Sequence, residues 1–417
     1  MLFVVPSFHY FANNNKLARA TAIMDLYSRY KSAFSGLSHP FAWVDLEQLD
    51  HNIALHLKRA RNMPIRIASK SIRSVAILRY LLNASAQMQG IMCYHPAEAA
   101  WLASLGFDDL LVAYPSLDTH GLNAALDQAA QGKTIYFMVD LPAHAQAISE
   151  LAQKKNVTAL LCLDLDMSIQ YPLLYFGVHR SAVRNAEEAV ALYKKIRALP
   201  NVELRGVMGY EAQIAGLGDK VPGQKLKNTA IKLLKQNAIP KIESRRTSTV
   251  LALRAAGADI QLVNGGGTGS VESTILEPSV TEVTVGSGFY CSHLFDNYEA
   301  FSAQPAAGFA LQVTRHPRTH ILTCNGGGYV ASGTAEKLKL PKPYLPAGVT
   351  LEANEGAGEV QTPIHYHGPD LHTGDPVFFR HAKAGELCER FNTLYLLRGT
   401  AIGEQVNTYR GDGQVFM

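Results

Sequence analysis

The chain alternates short apolar runs with longer stretches in which apolar residues recur every three or four positions. The first such stretch, residues 16–35, predicts a helix that ends near Gly36 and Pro40. From residue 40 onward, β-rich runs such as RIASK, GIMCY and DLLVAY are separated by predicted helices of roughly 10 to 20 residues. Strands and helices that alternate in this way imply parallel strands joined by right-handed crossovers.

About eight of these units fill residues 40–290, and this size is typical of a (β/α)8 barrel, which needs ~250 residues. A doubly wound open sheet is the alternative. After Pro305 the pattern changes to strands without intervening helices, separated by Gly and Pro turns. The sequence therefore predicts an α/β fold, a TIM-type barrel with a second, all-β C-terminal domain.

Three segments follow from this pattern. Residues 1–38 form an N-terminal helical segment that packs on the C-terminal domain, residues 39–298 form the barrel, and residues 299–417 form the β domain.

Composition and charge narrow the range of partners. The 39 basic and 35 acidic side chains leave a net charge of +4, and the chain has no long basic run. We therefore expect the binding partner to be a small molecule and not nucleic acid. Five scattered cysteines without a CxxC pair fit a reducing cytoplasm. The apolar start, MLFVVPSFHY, is too short for a transmembrane helix and lacks the basic leading segment of a signal peptide.

Lys70 stands at the predicted end of the first barrel strand, in RIASK. Reactive groups of such barrels gather at the C-terminal ends of the strands. A lysine with a lowered pKa can form a Schiff base with a carbonyl compound, and pyridoxal phosphate is the commonest partner of that kind. A surface lysine at the start of a helix is the alternative interpretation.

Two glycine-rich turns follow the last two predicted strands. In NGGGTGS the backbone amides of Gly265 to Gly267 and the Thr268 hydroxyl could surround an anion, and a flexible turn is the alternative. One strand further on, VGSGFY supplies Gly286, Ser287 and Tyr290 with the same donor chemistry. Two adjacent turns of this kind favour a phosphate site.

Tyr210, in VMGYEAQ, also follows a predicted strand, where a phenol either contacts a cofactor or packs on the barrel rim. Together these motifs resemble the fold-type III pyridoxal phosphate enzymes, in particular the D-threonine aldolase and D-serine dehydratase branch related to alanine racemase. RIASK is similar to the lysine-bearing strand of that branch, GYEAQ to its tyrosine-bearing strand end, and NGGGTG with VGSG to its phosphate loops.

The resemblance implies that Lys70 holds the cofactor aldehyde and acts as the general base when substrate displaces it. The two glycine turns would bind the phosphate, with Tyr210 nearby. Two departures stand out, because Ala68 replaces a histidine of the branch's R-x-H-x-K stretch and the segment LDLDMSIQYPLLYFGVHRS is longer than its counterpart. Alignment on FGV places Tyr175 at the pyridine nitrogen, with Arg180 or Asp166 as alternatives.

Relatives in this branch bind a divalent ion through a P-x-H-x-C stretch of the C-terminal domain. Here HAKAGELCERFN aligns through Cys388 and places Glu386 at the histidine position, with His381 close in sequence, so these three residues are the predicted ligands of zinc or manganese. His365, His367 and His372 crowd the same region, where they either contact the active-site mouth or form structural hydrogen bonds.

The resemblance implies a cytoplasmic homodimeric lyase that acts on β-hydroxy D-amino acids, either by retro-aldol cleavage or by loss of water and ammonia. An amino-acid racemase is the first alternative. A non-catalytic pyridoxal phosphate carrier is the second, and the added β domain argues against it.

Overall fold

The computed structural model describes residues 26–334, 336–369 and 371–417, and the elements below are those of this part of the chain. In chain order its strands are β1 (Phe41–Asp45), β2 (Ile65–Ala68), β3 (Met88–Cys93), β4 (Leu110–Val112), β5 (Ile135–Val139), β6 (Ala159–Asp164), β7 (Ile169–Tyr171), β8 (Leu174–Phe176), β9 (Val202–Gly209), β10 (Leu262–Gly265), β11 (Glu282–Val285), β12 (Ala307–Arg318), β13 (Ile321–Asn325), β14 (Lys342–Leu345), β15 (Thr350–Leu351), β16 (Gln361–His365), β17 (Pro376–Arg380), β18 (Thr393–Arg398) and β19 (Ala401–Asn407).

The helices alternate with the strands up to β11 and are α1 (Leu46–Ala60), α2 (Val75–Asn83), α3 (Pro96–Ser104), α4 (Thr119–Ala130), α5 (Pro142–Lys154), α6 (Ala186–Ile196), α7 (Ala212–Ala215), α8 (Lys225–Ala255), α9 (Val271–Thr274) and α10 (Ser287–Tyr290). Four 3₁₀ helices lie at Ser69–Ser71, His293–Asn297, Lys337–Lys339 and Ala384–Glu389. None of the described helices combines the length and the apolar character needed to cross a bilayer.

Eight parallel strands close into a barrel in the order β10-β11-β2-β3-β4-β5-β6-β9. The barrel closes because β11 pairs with β2, with Val283 opposite Ile65, and β10 pairs with β9. This arrangement confirms the predicted (β/α)8 barrel and excludes an open doubly wound sheet. The long segment after β6 carries the short hairpin β7–β8, which lies outside the barrel sheet.

A second, nine-stranded sheet confirms the predicted all-β domain. Its main path runs β15-β16-β13-β12-β1-β18-β19, while β17 pairs with both β12 and β14. The first strand, β1, lies in this sheet between β12 and β18, although the boundary at residue 39 assigns it to the barrel. The reason is its pattern, since all five residues FAWVD are buried and β1 can therefore occupy the middle of a sheet.

The described part of the N-terminal segment is helical over residues 26–33 and packs on the second sheet. The Tyr30 ring lies 5.0 Å from that of Trp43 and 5.3 Å from that of Phe378, and its hydroxyl donates to Asp45 at 2.8 Å. The rest of the helix predicted over residues 16–35 lies outside the described residues, apart from the turn that follows residue 33. The division of the chain into these three domains stays a prediction.

Candidate active site

Lys70 lies at the C-terminal mouth of the barrel. Strand β2 ends at Ala68, and the 3₁₀ turn Ser69–Ser71 directs the half-buried lysine toward the cavity at that mouth. Two hydrogen bonds fix the turn, because the Ser69 hydroxyl donates to the Met92 carbonyl at 2.9 Å and Arg73 Nε donates to the Lys70 carbonyl at 2.9 Å. The end of β2 and the hydrogen bonds of this turn therefore fix the backbone from which the Lys70 side chain extends.

The cavity at this mouth has a volume of about 520 Å³, within the range of small-ligand sites. It brings together most of the predicted cofactor residues, which are Lys70, Tyr210, Gly266, Gly267, Thr268, Gly286 and Ser287.

The first glycine turn follows β10 and needs its glycines. Gly266 has a φ of +81°, which disfavours other L-residues. A Cβ atom on Gly267 would lie 2.9 Å from Tyr210 Cε2, so the turn and the tyrosine are in close contact. Gly265 does not line the cavity, because it is the last residue of β10 and pairs with Gly209 and Val283 of the neighbouring strands.

The second glycine turn follows β11 and joins the first. A Cβ atom on Gly286 would lie 2.8 Å from Ala68 Cβ, so this turn packs directly against the end of the lysine-bearing strand. The Gly288 N–H donates to Thr268 Oγ1 at 3.1 Å. Tyr290 lies outside the cavity, where its buried hydroxyl donates to the Ile72 carbonyl at 3.2 Å, and it supports the turn that follows Lys70.

Helix α1 supports the first glycine turn from outside the cavity. Arg59 donates to the Thr268 carbonyl at 2.8 Å and pairs with Glu272 at 2.6 Å. Burial and the Arg59 charge lower the pKa of the neighbouring His56 to about 3, so this imidazole is neutral. Nothing in the sequence pattern marks these two residues apart from their place on a helix.

A buried ion triad fixes the other side of the same turn. Arg246 of α8 pairs with Glu211 at 2.7 Å and with Glu277, and it donates to the Gly209 carbonyl at 2.7 Å. Glu211 also accepts a hydrogen bond from the Ser270 hydroxyl at 2.9 Å. Because Glu211 follows Tyr210, the triad fixes both the tyrosine and the turn.

Tyr114 and Arg180 also line the cavity, and Tyr114 is not among the predicted site residues. Lys70 Nζ lies 3.4 Å from Tyr114 Oη. Burial would raise the pKa of Tyr114, but the neighbouring Lys70 and Arg180 charges outweigh it, so the pKa is lowered. Arg180 pairs with Asp164 at 2.8 Å, and its guanidinium lies 4.7 Å from the Tyr114 ring centroid. The signal for Tyr114 is its place directly after the apolar run of β4.

Of the three residues considered for the pyridine nitrogen, only Arg180 lines the cavity among the residues described. The Tyr175 hydroxyl donates to Ser168 Oγ at 2.7 Å, and its ring stacks on that of His179. The Asp166 carboxylate accepts from the Ser168 N–H at 2.7 Å. The alignment predicted Tyr175 as the partner of the pyridine nitrogen. The hairpin β7–β8 that carries Tyr175 lies outside the barrel sheet, and Tyr175 does not line the cavity.

A buried carboxyl group lies beneath the Lys70 turn. Glu98 of α3 accepts hydrogen bonds from the Tyr94 N–H at 2.7 Å and from the Tyr409 hydroxyl at 3.1 Å. Burial raises the pKa of Glu98 to about 7. Glu98 does not stand out in the sequence, because its partner Tyr409 lies 311 positions away in the chain.

The predicted metal ligands are engaged elsewhere. The Cys388 thiol donates to the Ile72 carbonyl at 3.3 Å, and burial raises its pKa to about 12. Glu386 accepts from the Ser332 N–H at 3.1 Å, and the buried His381 ring lies edge-on to that of Tyr290. Among the described residues no three His, Cys, Asp or Glu side chains cluster as a metal site, so this donor set does not fit a bound ion.

The three further histidines do not line the cavity. His365 pairs with Glu352, the His367 ring lies 4.4 Å from that of His320, and the His372 N–H donates to Asp375 at 3.0 Å. They therefore make structural contacts within the second domain. The residue of the predicted metal segment that does line the cavity is Lys383.

The chain is similar to known proteins in sequence and in fold. Residues 44–293 match the family described as alanine racemase, N-terminal domain. A 3-hydroxy-D-aspartate aldolase of Paracoccus denitrificans (strain Pd 1222) is 26% identical over 238 residues, which are 57% of this chain and 56% of that protein. The match therefore spans little more than half the length of that relative.

Two solved structures share the fold over nearly the whole chain. D-threonine aldolase from Filomicrobium marinum has a TM-score of 0.75 at 18% identity, with 90% of this chain and 95% of that chain covered. D-threo-3-hydroxyaspartate dehydratase from Delftia sp. HT23 has a TM-score of 0.73 at 20% identity, with 90% and 98% covered. At these identities the likeness establishes the barrel and the second domain.

Proposed function

The chain belongs to the alanine racemase N-terminal domain family, and from this we propose that it is a pyridoxal phosphate-dependent lyase acting on β-hydroxy D-amino acids. One observation carries the proposal, namely that Lys70 and both glycine turns line the same cavity at the mouth of the barrel. The names of the relatives, an aldolase and a dehydratase that act on D-amino acids, support the substrate class.

The residues present fit pyridoxal phosphate. Gly267 and Gly286 lie where a Cβ atom would clash with neighbouring atoms, so both turns bring bare backbone close to the cavity. The Thr268 and Ser287 hydroxyls line the cavity beside them and could donate to a phosphate. Lys70 would hold the aldehyde carbon, and Arg180 lies where it could contact the ring. When bound, the cofactor supplies an electron sink for the bond broken at Cα.

The chain's own groups account for the proton transfers. Lys70 Nζ, once released from the cofactor, accepts a proton from the substrate. Tyr114 Oη lies 3.4 Å from that nitrogen, close enough to pass the proton on or return it. In retro-aldol cleavage the proton leaves the β-hydroxyl oxygen, and in elimination it leaves Cα.

A spectrum and a product assay test the proposal. Purified protein with pyridoxal phosphate should absorb at about 420 nm, and Lys70→Ala should lose this band while the exposed control Lys58→Ala keeps it. Incubation with D-threonine or D-serine, with and without a chelator, should yield glycine and an aldehyde, or ammonia and a keto acid. The chelator arm measures whether a divalent ion is required.

Two results would contradict the lyase. Inversion of an L-amino acid without cleavage of either D-substrate would make the chain a racemase, and cofactor binding without turnover would make it a carrier. We also infer a homodimer from the family resemblance, and a molar mass of twice 45.5 kDa by light scattering would support it.

A further inference from the structure

The cavity lining carries far more positive than negative charge. Among the described lining residues Glu336 is the only carboxylate. Five lining residues are cationic, namely Lys70, Arg180, Lys227, Lys339 and Lys383. Arg180 is neutralised by Asp164 at 2.8 Å, and Lys70 is assigned to the cofactor. Lys227 and Glu336 are exposed to solvent. Lys339 and Lys383 remain, and both are half-buried.

In the part of the chain that the structure describes, neither Lys339 nor Lys383 forms a salt bridge, and Glu386 is the carboxylate whose charge acts on Lys383. Lys383 Nζ donates only weakly, to the Ser332 hydroxyl at 3.4 Å and carbonyl at 3.5 Å. Burial lowers the pKa of Lys383, and the charges of Lys339 and Lys70 lower it further against the opposing charge of Glu386. The two ammonium groups therefore repel each other in a partly desolvated place.

The second domain holds Lys383 firmly against the barrel. The 3₁₀ helix Ala384–Glu389 packs on the Lys70 turn, where a Cβ atom on Gly385 would lie 2.3 Å from the Lys70 carbonyl oxygen. Only glycine permits this approach. Lys383 is therefore held at a defined place relative to Lys70, on the wall that the second domain contributes. The glycine turns belong to the barrel.

Two like charges that no carboxylate pairs directly cost free energy in a half-buried cavity, and an anionic ligand between them lowers that cost. The glycine turns already provide for a phosphate, so the lysine pair is available for a second anion. Lys339 and Lys383 line the same cavity as Lys70, so the side chain of a substrate held at Lys70 could reach this wall.

Building on the proposed function, we propose that Lys339 and Lys383 form an anion subsite for a side-chain carboxylate, which makes β-hydroxy D-amino acids with two carboxylates the preferred substrates. The second domain thereby selects the substrate, while the barrel carries out the chemistry.

Substrate selectivity tests the subsite. For Lys339→Gln and Lys383→Gln, kcat/KM with 3-hydroxy-D-aspartate should fall about 10- to 100-fold, as expected for loss of a hydrogen bond to a charged group. The value with D-threonine should change little. Lys383→Arg should keep most of the preference for 3-hydroxy-D-aspartate over D-threonine. Lys337→Gln is the matched control, because Lys337 is exposed, lies in the same 3₁₀ helix as Lys339 and does not line the cavity.

The subsite would be overturned if kcat/KM fell equally with both substrates. It would also be overturned if the ratio of the two kcat/KM values were the same in the lysine variants as in the control. So would loss of bound pyridoxal phosphate in both lysine variants, since the pair would then bind the cofactor phosphate. Calorimetric titration of the cofactor-loaded protein with succinate separates this proposal from the lyase activity. If no D-amino acid is turned over, weaker succinate binding by the variants still supports the subsite, and unchanged binding refutes it.

Discussion

Glu98 should make the stability of the protein depend on pH. The ordinary pKa of a glutamate is 4.5, and burial raises that of Glu98 to about 7. Between these values the folded protein keeps a proton on Glu98 that the unfolded chain has lost. Because the folded state binds more protons in this window, its stability falls as the pH rises from 4.5 to 7.

The magnitude follows from the two pKa values. At about 1.4 kcal/mol per pH unit, the rise from 4.5 to about 7 corresponds to about 3 kcal/mol of lost stability once the carboxyl is ionised. A glutamine has the shape of the protonated acid and can keep hydrogen bonds to the Tyr94 N–H and the Tyr409 hydroxyl. Glu98→Gln should therefore remove this cost.

Urea unfolding at pH 5, 6, 7 and 8 measures the effect. The free energy of unfolding of Glu98→Gln minus that of the wild type should rise by about 2 to 3 kcal/mol between pH 5 and pH 8. Other titrating groups, such as Asp164 and Glu277, cancel in this difference. Glu150→Gln, at an exposed position of α5, should give a flat line. If the difference for Glu98 is equally flat, burial does not hold this proton.

Two further substitutions test the surroundings of the first glycine turn and the end of the lysine strand. Arg246→Met leaves two buried carboxylates, Glu211 and Glu277, without a cation, so the free energy of unfolding should fall by about 3 to 5 kcal/mol. The control Arg254→Met, at an exposed position of the same helix, should lower it by less than about 1 kcal/mol. Equal losses in the two variants would contradict a structural role of the triad. Gly286→Ala places a Cβ atom 2.8 Å from Ala68 Cβ, so cofactor affinity, measured by absorbance titration, should fall at least about 10-fold. The control Gly403→Ala, whose Cβ atom has no neighbour within 3.8 Å, should bind the cofactor normally. Normal binding by both variants would show that the turn does not hold the cofactor.

The barrel, and several of the residues that line the cavity at its mouth, could be predicted because their signals are local. Each strand is a short apolar run, and Lys70, Tyr210 and the glycine turns follow such runs directly. In a parallel barrel all strand ends meet at one mouth, so order along the chain is enough to bring these residues together.

The supporting polar groups could not be predicted, because their partners are distant in the chain. Arg246 lies 35 positions from Glu211, and Glu98 lies 311 positions from Tyr409. A buried ionisable residue on an amphipathic helix looks the same in sequence as an exposed one. The metal ligands were placed by alignment with a metal-binding stretch of the resembled branch, but the fold directs Cys388 to a backbone carbonyl and Lys383 to the cavity.

The central position of β1 in the second sheet means that this domain is built from both ends of the chain, with the barrel inserted between them. On the ribosome, β1 emerges first but has no partner until β12 and β18 have been made, some 260 to 350 residues later. The sheet can therefore close only after all eight barrel strands have been synthesised, because β12 follows the last of them in the chain. A fragment that starts at residue 46 would lack the strand that joins the two halves of the sheet, so the two domains should not be separable by a single cut.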